Sequence, residues 1–220
     1  MRSRRRNCAG GRCRSRPRGE PAFFIRPGLC DPPSSQLLVQ DGAVSVVLVR
    51  HGEPDWNLVA GPSWKGAAND FAPLTALGRQ QARDAGSTLV ADGGVERVLS
   101  SPMTRALETA HIIAGLLDVP VQVELRLREW LPDETYSWTT AEEVASAYAD
   151  MIRHDGKRPM DHDLHWEPLD VVRERALSVL QPYLPSESRV VAVCHEVLIH
   201  AVTGCAQTPH AGRRVLQADG

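Results

Sequence analysis

Four short runs rich in valine and leucine, Ser45 to Arg50, Arg97 to Ser100, Val121 to Leu127 and Arg189 to His195, alternate with segments of helical periodicity. That alternation leaves few architectures open. Each run is short and apolar enough to be a strand buried on both faces. Thr75 opens the first helical pattern, with Ala82, Ala85, Leu89 and Val90 near helical spacing. Ser101-Pro102 is expected to open the second, serine as N-cap and proline at the first helical position, ahead of Leu107, Ala110, Ala114 and Leu117. Thr140 and Glu143 form a capping-box pair before Val144, Tyr148 and Met151. Val172, Ala176, Val179, Leu180 and Tyr183 line the next helix, and Glu196 to Thr203 make a shorter one stopped by Gly204. Strand and helix in turn predict an α/β protein, a three-layer α/β/α sandwich around a mainly parallel sheet.

The pattern starts near Ala43. Residues 1–42 hold nine arginines, no lysine and three acids (Glu20, Asp31, Asp41), a net +6; the rest carries 16 basic and 24 acidic residues, a net −8. The head is rich in Arg, Gly, Pro and Ser and lacks aliphatic periodicity. It reads as a disordered extension, with a transit peptide or a basic nucleic-acid tail as the alternatives. The acidic body, residues 43–220, argues against nucleic acid as a partner of the folded domain. No apolar run approaches the roughly 20 residues of a membrane span, so no membrane association is expected. Cys8, Cys13 and Cys30 fall in the head, Cys194 and Cys205 in the body. They form no regular disulfide framework, and a cytoplasmic setting with reduced thiols is expected.

In such sheets ligands bind beyond the carboxyl ends of the strands. The first run leads into Arg50-His51-Gly52-Glu53, the second through Ser100-Ser101-Pro102 to Arg105, the third to Arg126, Arg128 and Glu129, the fourth to Cys194-His195-Glu196. Two arginines, two histidines and a carboxylate would then converge at one edge. The planar guanidinium fork suits phosphate oxygens, and histidine serves as nucleophile or proton donor. This combination points to phosphoryl transfer.

Leu48-Val-Arg-His-Gly-Glu53 with Trp56-Asn57 resembles the signature of the histidine phosphatase superfamily, which includes cofactor-dependent phosphoglycerate mutases. Pro73 to Ala82, Ser100 to Ala110, Leu127-Arg-Glu129 and Val190 to His195 resemble further segments of that family in the same order, over about residues 44–218. The resemblance implies His51 as the nucleophile, forming a phosphohistidine, and His195 as a hydrogen-bond donor to the phosphoryl group. Arg50, Arg105 and Asn57 would bind the phosphate, and Glu129 would serve as the general acid and base. It implies a phosphatase acting on a small phosphorylated substrate with no metal and no cofactor. The alternatives are mutase-type transfer, for which residues 43–220 look short, and a catalytically silent phospholigand-binding module. Residues around 130–168 are expected to cap the site.

Departures from the pattern qualify the reading. Glu196 stands where the family usually has glycine, and a carboxylate there is expected to turn outward at the helix start. Trp130 to Trp138 lacks the usual glycines, which leaves Asp133 and Glu134 as rivals of Glu129 for the acid/base role. His195 and His200 are five residues apart, not the four of a zinc-protease helix, and His111 and His200 are expected to be ordinary helix residues. Asp161-His-Asp-Leu-His165 reads as a solvated loop, with metal binding as the alternative. Cys194 is expected to be packing, and Trp64 and Lys65 could border the site or lie on the surface.

Overall fold

The computed structural model of the chain describes residues 45–59, 66–160, 163–184 and 189–217. The Arg-rich head lies outside the described residues, as do Trp64, Lys65, Asp161 and His162. Five strands, β1 (Ser45–Arg50), β2 (Arg97–Ser100), β3 (Val121–Val123), β4 (Val190–Cys194) and β5 (Arg213–Gln217), form one sheet in the order β3-β2-β4-β1-β5. β1 pairs with β4, β4 with β2 and β2 with β3 in parallel, while β5 runs antiparallel beside β1. Parallel neighbours require long crossovers, usually helical. Here α1 (Ala76–Ala91) and α2 (Thr104–Leu117) cover one face, and α4 (Leu169–Leu180) and α5 (Glu196–Thr203) the other. α3 (Ala141–Arg153) lies in the excursion between β3 and α4.

The strand period of two explains the layering. Val46 and Leu48 of β1 enter the core under α4 and α5, and Val47 and Val49 enter the core under α1 and α2. All five residues of β4 are buried. Burying a valine or leucine side chain is worth about 1.5–3 kcal/mol, so the two most continuously apolar runs take the places with helices on both faces. Among the described residues no helix is long and apolar enough to cross a membrane.

The expected α/β sandwich is present, with local differences. β3 ends at Val123 rather than Leu127, because it is an edge strand paired only with β2. Val123 and Leu125 are 52% and 70% exposed, so no packing holds the run extended. The chain turns through a 3-10 helix over Leu125–Leu127, burying Leu127 and re-aiming Arg128 and Glu129. α2 starts at Thr104 with Met103 as its cap residue, not at Ser101. The Ser101 N–H is held by the Val193 carbonyl at 3.0 Å, which prolongs the β2–β4 ladder one residue past Ser100. β5 has no counterpart in the apolar runs: Arg213 and Arg214 precede Val215 and Leu216, and only Leu216 is fully buried. The capping box at Thr140 and Glu143 forms as the sequence predicts, as does the stop of α5 at Gly204, whose φ is +77°.

Candidate active site

β1 and β2 flank β4, and the chain beyond their carboxyl ends stays tied to it. The His51 N–H donates to the Cys194 carbonyl at 3.0 Å and Ser101 N–H to Val193, so three strand ends are held side by side. Gly52 is required at the turn that follows. A Cβ there would stand 2.3 Å from the Gly78 carbonyl oxygen, and one on Gly78 would stand 2.2 Å from that of Glu53. Loop and helix α1 pack backbone against backbone, and the Gly52 N–H is held by Thr109 Oγ1 at 3.0 Å.

His51 is buried, and its Nδ1 lies 2.7 Å from the Gly52 carbonyl oxygen. A carbonyl only accepts, so Nδ1 carries the proton and Nε2 keeps its lone pair. Arg105 donates its Nε–H to that lone pair at 3.2 Å. Burial first, then the charges of Arg105 and Arg50, hold the His51 pKa well below the usual histidine range, against the opposing pull of the Gly52 carbonyl. The imidazole is therefore neutral at neutral pH.

Arg105 is itself buried, its Nη1 on the Asn69 carbonyl at 2.8 Å, its Nη2 3.1 Å from Met103 Sδ, and its guanidinium 5.2 Å from the centre of the Trp56 ring. His195 is fully buried, with its ring centre 5.1 Å from that of His51. Its Nε2 meets Ser101 Oγ at 2.7 Å, whereas the buried Nδ1 has no hydrogen-bond partner. Arg50 is similar: Nη1 donates to the Thr208 carbonyl at 2.7 Å and lies 2.9 Å from Glu196 Oε2, while the buried Nε has no partner. Buried polar groups are rarely left unsatisfied. Two such atoms, one on the residue next to a neutral histidine and one on the ring packed against it, fit an anion contributing the missing acceptors.

Glu129 comes to the same edge. Its Oε1 accepts the N–H of Trp130 at 2.9 Å and of Leu198 at 3.2 Å, placing the carboxyl at the start of α5. Burial raises its pKa, opposed by these N–H groups and by Arg105. Its backbone is clamped as well. Arg128 Nη1 and Arg175 Nη2 both donate to the Glu129 carbonyl, at 3.0 and 3.2 Å, and both arginines grip the buried carboxylate of Glu167.

Arg50, His51, Arg105, Glu129 and His195 thus meet at one edge, as their strand-end positions suggest. Asn57 sits exposed on the 3-10 turn Trp56–Leu58. Asp133 binds Thr135 and Ser137, and Glu134 pairs with Arg158, so both rivals of Glu129 face other partners. Glu196 corrects an expectation: it is partly exposed at the start of α5, but its carboxylate turns back onto Arg50. It stays in the first turn of α5, where the dipole favours it, and from there its carboxylate reaches the guanidinium of Arg50. Among the described residues no group of three or more His, Cys, Asp or Glu is placed to hold a metal ion. Cys194 and Cys205 are buried, and burial pushes the Cys194 thiol up, away from thiolate chemistry.

Residues that sequence reasoning missed complete the cluster. His210 lies with its ring centre 5.7 Å from that of His51, on the turn leading into β5. It carried no periodic signal, and its strand went unread. Asp70, half-buried, has its pKa raised by burial against the charges of Arg105 and Arg128. Glu167 and Arg175 could have been suspected only by asking what neutralises Arg128. A cavity of about 470 Å³ lies elsewhere, in the expected cap, bordered by Pro132, Trp138, Asp150 and Trp166. None of the residues gathered around His51 lines it.

The profile of the histidine phosphatase superfamily (branch 1) matches residues 46–217. The chain is 42% identical over 77 residues to an uncharacterized phosphatase, PhoE, of Bacillus subtilis, a match covering 35% of this chain and 37% of that protein. It is 32% identical over 164 residues to a probable phosphoglycerate mutase, GpmB, of Citrobacter koseri, covering 71% of each. Among solved structures, a mycobacterial glucosyl-3-phosphoglycerate phosphatase superposes with a TM-score of 0.58 at 23% identity, covering 80% of this chain and 96% of that one.

Proposed function

The chain belongs to the histidine phosphatase superfamily, and on that premise we propose that it hydrolyses a small phosphate monoester through a phosphohistidine on His51. The observation that carries the reading is the fixed tautomer: Nδ1–H on the Gly52 carbonyl leaves the Nε2 lone pair beside a buried guanidinium. In the first step Nε2 attacks phosphorus and the ester P–O bond breaks. Glu129 gives its proton to the departing alkoxide, a role suited to a carboxyl whose pKa burial has raised. In the second step Glu129, now a carboxylate, takes a proton from water. The water oxygen attacks phosphorus, the P–N bond breaks, and inorganic phosphate leaves.

Arg105 and the unpartnered donors of Arg50 and His195 would hold the phosphoryl oxygens through both steps, supplying charge that other phosphoryl-transfer enzymes draw from Mg²⁺. Residues around 130–168 would cap the site. Residues 1–42 would lie outside the catalytic unit, since the family match begins at residue 46. Small soluble esters as substrates suit a cytoplasmic setting, as does the free thiol of Cys194.

The test is phosphoenzyme trapping. With a panel of phosphate monoesters, quenched protein should carry an acid-labile, alkali-stable phosphoryl group, and His51→Ala should abolish both the label and phosphate release. Label on a serine or aspartate would overturn the mechanism. Interconversion of phosphoglycerates without net phosphate release would make the chain a mutase.

A further inference from the structure

The carboxylate that replaces glycine after the second histidine raises a question of charge balance. Arg50 Nη1 is committed to Glu196 and to the Thr208 carbonyl. Asp70 opposes the charge of Arg105, and Glu129, protonated when the ester enters, adds no charge of either sign. Arg128 and Arg175 are turned onto Glu167 and onto backbone carbonyls. His210 adds no cation, because burial and Arg50 lower its pKa. Among the described residues around His51, the cationic charge that remains suffices for a phosphate group and little more.

Exposure gives the direction in which a substrate must lie. His51 is 4% exposed, whereas the side chains of Arg50 and Glu196 are 18% and 33% exposed. A phosphoryl group on His51 Nε2 is therefore innermost, and the alcohol half of the ester points outward. There it would meet Glu196, with Tyr148 of α3 close enough to sense the charges of both Glu196 and Glu129.

Resting on the phosphatase reading, we propose that Glu196 is a specificity-determining residue: it selects phosphate monoesters whose alcohol half is neutral or cationic, such as amino-alcohol phosphates. It disfavours esters that carry a second anionic group. A carboxylate on the substrate would face Glu196, and among the described residues no uncommitted cation is placed to meet it, whereas an ammonium would gain a partner. One close charge interaction at a partly exposed site is enough to decide between esters of similar shape.

The experiment compares 2-aminoethyl, propyl and carboxymethyl phosphate, three small esters differing chiefly in charge. The wild-type kcat/KM should fall in that order. Glu196→Gln keeps an oxygen acceptor for Arg50 and removes the charge, so the ratio of aminoethyl to carboxymethyl phosphate should shrink about tenfold, while propyl phosphate changes least. The same esters are titrated calorimetrically into His51→Ala and His51→Ala/Glu196→Gln, which reads the charge preference without turnover. A wild-type preference for carboxymethyl phosphate, or a ratio indifferent to Glu196 in kinetics and binding, overturns the proposal. Charge-ordered binding without turnover by the wild type would instead sink the phosphatase reading and leave the specificity assignment standing. Neither binding nor turnover would overturn both.

Discussion

Arg105 Nε lies 3.2 Å from His51 Nε2, on the lone pair that would attack phosphorus in the proposed mechanism. The guanidinium is thus poised at the position where a phosphoryl oxygen will develop charge once the N–P bond begins to form. In the proposed reaction it would exchange the imidazole nitrogen for that oxygen, while its other nitrogens are held on the Asn69 carbonyl and Met103 Sδ.

Arg105→Lys should therefore slow phosphohistidine formation in single-turnover assays by about 10²–10³-fold, the usual loss of one preorganised donor. Inorganic phosphate should inhibit the variant less well. Undiminished labelling of His51 in the variant would remove Arg105 from the reaction.

Stability should respond to pH through the two buried imidazoles. His51 and His195 are both held well below the ordinary histidine pKa, chiefly by burial and then by Arg105. The unfolded chain therefore takes up these protons first, near pH 6.5. Their neutral burial is fully tolerated above that value, and stability is lost as pH falls from there toward the folded pKa values. Each site contributes up to about 1.4 kcal/mol per pH unit in that window. Glu129 and Asp70 act in the opposite sense at lower pH, since burial raises their pKa. The diagnostic is thus a difference: urea melts of His51→Gln between pH 7 and 5 should show a shallower loss than the wild type. Parallel curves would mean that His51 is not buried neutral.

Glu129→Gln keeps size and hydrogen bonding while removing the proton. Phosphorylation of His51 by an alkyl phosphate should slow about 10²–10⁴-fold, and by p-nitrophenyl phosphate much less, because its leaving group needs little protonation. Rapid-quench measurement isolates the step. Equal losses with both substrates would move proton donation to another group, of which Asp70 is the nearest in environment.

Glu167→Ala should be among the most damaging changes outside the reacting atoms. The carboxylate is 1% exposed and bonded to both Arg128 and Arg175. Breaking such a buried cluster from one side typically costs about 3–5 kcal/mol. Because the same arginines hold the Glu129 carbonyl, any protein that folds should also lose the contrast between alkyl and nitrophenyl substrates. A loss of stability with the contrast intact would confine Glu167 to packing.

The residues His51, Arg105 and His195 were legible because each directly follows a strongly apolar strand or opens the helix after one, and such positions gather at a single sheet edge. Glu129 was harder, since β3 is too poorly packed to stay extended and an added 3-10 turn sets its final position. Glu196 was misjudged because its attraction to Arg50 depends on β1 and β4 being neighbours, a pairing that local sequence does not carry. His210 and the Arg128–Glu167–Arg175 cluster were invisible for a related reason. Their partners lie far along the chain, and polar residues on turns leave no periodic trace.

The order of the strands also governs when such a site can come into being. β1, which delivers His51, is the first of the described strands along the chain, yet it lies between β4 and β5, the last two of them. During synthesis β1 must wait, unpaired on both sides, until the chain through β4 has emerged. Folding dominated by such distant contacts is slow. A chain that stops short of β4 cannot bring His195 to Arg50 and His51, so on the proposed mechanism reactivity would arrive only once β4 has docked beside β1.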